Sequence, residues 1–205
     1  MGACVDFRFR ARCDGALSGA RGLPYAYYTK LSQAERAVYR ASDRVQAVPL
    51  AQPGKLAPSI DAIHDALARA ARLNLQRAVQ SLTDGTVMDL GTAPVRVRVL
   101  AARPEYGWGE LHGEYTPRDG RHRALIRVWM RTARHKRVVA YKTFLRTVLH
   151  ELCHHLDYEL FKFPDSLHTE GFFKRESSLF KQLTRHAQPT AANERTGSLS
   201  SSALR

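Results

Sequence analysis

The chain has 205 residues, 44% of them hydrophobic and 25% charged. That is room for one domain with tails, and it excludes a wholly disordered polypeptide. No run reaches eighteen apolar residues, so no membrane-spanning helix and no membrane partner are expected. The first twelve residues carry Arg8, Arg10 and Arg12 without an apolar core, which is not a secretory signal, and the cytoplasm is the expected compartment. Lys and Arg number 32 against 19 Asp and Glu, a formal charge of +13 that favours anionic partners. Three cysteines, Cys4, Cys13 and Cys153, are too few for a disulfide framework or a four-cysteine zinc site.

In chain order, residues 1–24 lack any sustained period and read as a flexible arm. Ser32-Gln-Ala-Glu35 is a capping box that predicts a helix from Gln33 to Val45, followed by a linker broken by Pro49, Pro53, Gly54 and Pro58. Residues 25–56 thus read as an N-terminal helix and linker. Apolar residues at helical spacing predict one long helix from Ile60 to Leu82, stopped by Thr83-Asp84-Gly85. The period then changes to two. Val95 to Val99, Glu110 to Tyr115 and Ala124 to Met130 are expected strands, the last two joined through Pro117-Arg-Asp-Gly120 as a hairpin. Helical spacing returns from Tyr141 to Phe161 and from Glu170 to Leu183, and residues 187–205 read as a disordered tail. The expected fold is α+β: a small three-stranded sheet packed on a long N-terminal helix and on the helix from Tyr141, with a further C-terminal helix.

His150-Glu151-Leu152-Cys153-His154 carries the chemistry. Helix positions i and i+4 share a face, so both imidazoles can reach one zinc ion, while Glu151 is rotated by roughly a hundred degrees and can address a water beside it. In that position it serves as general base and acid for hydrolysis. Cys153 and His155 point elsewhere, as a small core residue and a hydrogen-bond partner. His168, fourteen residues beyond His154 and after a Pro-containing loop, is the favoured third ligand, with Glu170 and Glu176 as alternatives. One Zn2+ per chain is the expected cofactor.

The run His150-Glu-x-x-His154, a loop, then His168-Thr-Glu-Gly-Phe172 resembles the SprT-like zincins, which include Spartan and, more distantly, the WLM proteases. The resemblance covers about Ile60 to Leu183. It implies a zincin-like metallopeptidase domain over 57–186 that hydrolyses protein or peptide substrates, with His150, His154 and His168 as ligands, Glu151 as catalytic acid/base and Phe172 packed behind the ligands. Thr169 stands where the family often has Gly, and no cysteine follows Cys153 to build the zinc ribbon many members carry.

A basic segment, 118–137, holds Arg118, Arg121, Arg123, Arg127, Arg131, Arg134, Lys136 and Arg137 against Asp119 alone. With Trp129 and Tyr141 nearby as stacking surfaces, it suggests a nucleic-acid partner and an action on nucleic-acid-associated proteins. The competing expectation is a nucleic-acid-associated binding protein whose zincin core is structural or vestigial.

Overall fold

A computed structural model describes residues 25–106 and 109–185. The proposed arm and tail, 1–24 and 187–205, lie outside the described residues. The fold is α+β, with five α-helices and a three-stranded mixed sheet. The helices are α1 (Gln33–Arg44), α2 (Ala57–Ala68), α3 (Arg72–Asp89), α4 (Tyr141–Glu159) and α5 (Glu170–Thr184). The strands are β1 (Arg96–Ala102), β2 (Glu105–Tyr106), β3 (Gly109–Glu110), β4 (Gly113–Thr116) and β5 (Leu125–Arg131). In the sheet β5 lies centrally, parallel to β1 and antiparallel to β4, while β2 and β3 form a separate two-residue ribbon. Glu110 therefore belongs to the ribbon, and the strand expected from Glu110 starts at Gly113.

The capping box at Ser32 forms as expected, with Ser32 Oγ accepting from Glu35 N and Glu35 accepting from Ser32 N. The expected long helix is instead two helices. Its break is a Schellman turn, in which Ala71 N donates to Ala66 O and Ala70 N to Leu67 O, with Ala70 at φ 51°. Alanine in that conformation carries no sequence signal, since glycine normally occupies it. Thr83-Asp84-Gly85 does not end α3. Thr83 and Thr86 turn their hydroxyls back onto Gln80 O and Leu82 O, and Gly85 gives Leu56 room to pack against the helix. The true stop is Gly91 at φ 61°, with Gly91 N donating to Met88 O and Thr92 N to Val87 O.

Alternation along the strands sorts their faces. Val97, Val99, Ile126, Val128 and Met130 are buried in one apolar cluster with Leu75, Val79 and Leu82 of α3 and Leu145, Val148, Leu149 and Leu152 of α4. The opposite face carries Arg96, Arg98, Arg127 and Arg131. Among the described residues no helix is long and apolar enough to cross a membrane.

The two edges of the sheet differ. Along β1, α3 supplies side chains where a strand would supply backbone. Gln76 donates to Val97 O (2.9 Å) and accepts from Val99 N (2.7 Å), while Gln80 donates to Val95 O (2.9 Å) and accepts from Val97 N (2.8 Å). Arg72 adds a bond to Val99 O at 3.0 Å. Residues four apart on α3 thus present one amide per two strand residues, and β1 is closed to further pairing. Among the described residues, β4 at the other edge has no strand beyond it. Gln76→Ala removes two such bonds, and urea unfolding is expected to show a loss of about 1–3 kcal/mol.

Candidate metal centre

α4 carries His150 and His154 on one face, and the loop after it returns His168 to them. His168 Nε2 lies 3.0 Å from His150 Nε2 and 3.1 Å from His154 Nε2. Nitrogens bound tetrahedrally at about 2.0–2.1 Å would sit roughly 3.3 Å apart, so the donor set is close to the size of a zinc shell. The three histidines are close enough to hold a metal ion, and they are the one His/Cys/Asp/Glu group of this kind among the described residues.

Hydrogen bonding on the far side of the rings sets which nitrogen faces inward. Glu176 Oε2 lies 3.3 Å from His150 Nδ1, and its Oε1 accepts from Arg146 at 3.0 Å. Ser166 Oγ is 2.7 Å from His154 Nδ1 and 2.7 Å from Asp157 Oδ2. A carboxylate only accepts, so Nδ1 of His150 carries its proton toward Glu176, leaving Nε2 with a lone pair for a cation. Glu176, an alternative ligand in the sequence reading, thus orients His150 from behind. Glu170, the other alternative, pairs with Lys174 at 2.7 Å in the first turn of α5.

Phe172, 0% exposed, packs against all three rings, with centroids 4.9 Å from His150, 4.8 Å from His154 and 5.1 Å from His168. Thr169 has a definite role: its hydroxyl caps α5 by accepting from Phe172 N and meets Ser42 Oγ of α1 at 3.0 Å. The backbone of His168 is tied down as well, because Tyr27 donates its hydroxyl to His168 O at 2.7 Å. Gly171 lets α5 approach α1 closely, where any Cβ would strike the backbone of Ser42 and Asp43. The N-terminal helix therefore abuts the loop that delivers the third histidine.

Burial first, and then the charge of neighbouring imidazoles, hold His154 well below its ordinary pKa and His168 at about 4. Both are neutral, the form that ligates a metal. Burial acts in the same direction on His150, but its hydrogen bond to Glu176 and the charges of Glu151 and Glu176 outweigh it and raise the pKa. Glu151 is 6% exposed and is pushed up to about 7 by burial, against the opposing charge of His150 and with that of Glu114 and Glu176. Gly113 of β4 lies directly over Glu151: a Cβ there would fall 2.8 Å from Glu151 Cγ and 2.9 Å from Cδ.

His155 and Cys153 are buried in the core. His155 Nε2 donates to Ala93 O at 2.7 Å, so its Nδ1 accepts from the Tyr115 hydroxyl at 3.2 Å. Tyr115 thereby commits its hydroxyl proton to His155.

The basic segment does not form one patch. Arg121 and Arg123 precede β5 while Arg134, Lys136 and Arg137 follow it, and seven strand residues separate the groups by about 20 Å. Arg118 pairs with Glu159 at 3.1 Å, Arg127 with Glu114 at 2.9 Å, and Arg131 donates to Lys136 O. Trp129 is 6% exposed and Tyr141 packs on His64 and the core, so neither offers the stacking surface expected of it. Sequence reading missed Arg96 and Arg98, whose exposed side chains share a sheet face with Arg127 through the pairing Arg98↔Arg127. Their alternation with valine was the available signal, but only strand order sets them beside β5.

Compared with family models, curated proteins and solved structures, the chain matches none. His150→Ala, His154→Ala and His168→Ala are each expected to abolish stoichiometric binding of a divalent metal, read by elemental analysis after dialysis, while Glu170→Ala leaves it intact.

Proposed function

We propose that the protein is a zinc-dependent metallopeptidase with a zincin-like core. The observation that carries this reading is the convergence of three imidazoles, with Glu151 next to His150 on α4 and beneath Gly113 of β4. Zinc bound by His150, His154 and His168 would polarise the scissile carbonyl and acidify a water. Glu151 takes the proton of the attacking water and returns it to the leaving amine. The free edge of β4 pairs with an extended substrate, whose backbone then passes the base at the one strand position without a side chain. β1 is closed by Gln76 and Gln80, so among the described residues β4 is the edge of the three-stranded sheet that substrate joins. Glu151→Gln is expected to retain zinc and lose peptide hydrolysis by about 10²–10⁴-fold, read with a casein digest. Retention of activity in that variant would exclude the mechanism.

A second reading, nucleic-acid association, rests on Arg96 and Arg98 standing beside Arg127 on the solvent face, away from the metal centre. It is compatible with action on nucleic-acid-associated proteins. Under this reading Arg96→Glu with Arg98→Glu weakens single-stranded DNA binding and lowers the slope of log K against log salt by about 2. An unaltered chain with no salt-dependent binding removes this reading.

A further inference from the structure

Behind His154 runs a buried chain of contacts that the proposed hydrolysis does not itself use. Arg175 of α5 is 0% exposed and is the largest fully buried side chain among the described residues. Its Nη2 donates to Asp157 Oδ1 at 2.8 Å and to Ser42 Oγ at 2.9 Å, and its Nη1 to the carbonyls of Ser42 (2.7 Å) and Val45 (2.6 Å). The guanidinium lies over the rings of Phe161 and Phe172. Asp157, also 0% exposed, spends its second oxygen on Ser166.

The direction of each bond follows from chemistry. Asp157 accepts from Arg175 and from the Ser166 hydroxyl. Having given its only proton to Asp157, Ser166 Oγ accepts from His154 Nδ1–H. His154 is thereby fixed as the Nδ1–H tautomer, with its ring plane set and its Nε2 lone pair aimed at His150 and His168. A buried ion pair of this kind is expensive, and stability alone is a weak reason to keep one.

We propose that Ser166 and Asp157, anchored by Arg175 to the C-terminal end of α1, are positioning residues that present His154 to the metal. The proposal rests on the metal-centre reading and deepens it: His150 receives a carboxylate directly, whereas His154 receives one through a hydroxyl.

Substitution of Asp157 or Arg175 would strand a buried charge and threaten the fold, so the test falls on Ser166. Cobalt(II) titration of the metal-free full chain reads both affinity and the visible ligand-field bands. Ser166→Ala is expected to bind cobalt about 10–100-fold more weakly with altered bands, while Ser166→Thr restores both. The metal-free Ser166→Ala chain is expected to unfold cooperatively at a lower temperature than the unaltered one, because Asp157 Oδ2 loses its donor, so the ligand-field bands are the readout that a merely structural role would not move. Equal cobalt affinity and an unchanged spectrum in Ser166→Ala would overturn the proposal. So would weaker cobalt binding with unchanged bands, which would mark Ser166 as merely structural. Failure of the unaltered chain to bind cobalt would instead overturn the metal-centre reading itself, and the proposal with it.

Discussion

Three imidazole rings that aim lone pairs at a common point repel one another, and the surrounding chain is organised around keeping them there. The rings come from two places, one face of α4 and a loop that carries the third ring fourteen residues downstream of His154. Neither source can hold the geometry alone. Glu176 and Ser166 engage the outer nitrogens of His150 and His154, Phe172 fills the space behind all three rings, and Tyr27 ties the backbone of His168. Each of these comes from α5, from the loop before it, or from the turn before α1. The close contact of Gly171 with Ser42 and Asp43 is therefore part of the centre, because it sets where α5 begins and hence where His168 stands.

The same organisation explains what was legible in the sequence. His150, Glu151 and His154 could be read together because helix periodicity alone puts them on adjacent faces, a relation that needs no tertiary information. His168 was legible through its spacing and through Phe172. Ser166, Asp157, Arg175 and Tyr27 were not, since their partners lie nine to more than a hundred residues away and a serine or arginine has no distinctive pattern. The α+β class followed from the change of period, but the split of the expected long helix did not: Ala70 adopts a conformation that its chemistry disfavours, and tertiary packing imposes it. Gly91 shows the converse. It is a proper helix stop that the nearer Thr83-Asp84-Gly85 obscured, because a threonine that bonds its own helix and a glycine that admits Leu56 look like a breaker in one dimension.

Charge was the least legible feature. The segment 118–137 is dense in arginine along the chain, yet the hairpin and β5 distribute it to opposite ends of the sheet, and Glu159 and Glu114 engage Arg118 and Arg127. A linear cluster becomes a surface only through register, and register here recruits Arg96 and Arg98 from a strand outside the cluster.

The glutamine-lined flank of β1 has a consequence for how copies of the chain can meet. Backbone-mediated sheet extension needs an open ladder on each joining partner, and among the described residues the three-stranded sheet has one such ladder, at β4. Two molecules joined there would leave no edge of that sheet open, so growth through it would end at a closed pair. A peptide lying along β4 would also occupy that strand, making ligand occupancy and self-association through it mutually exclusive.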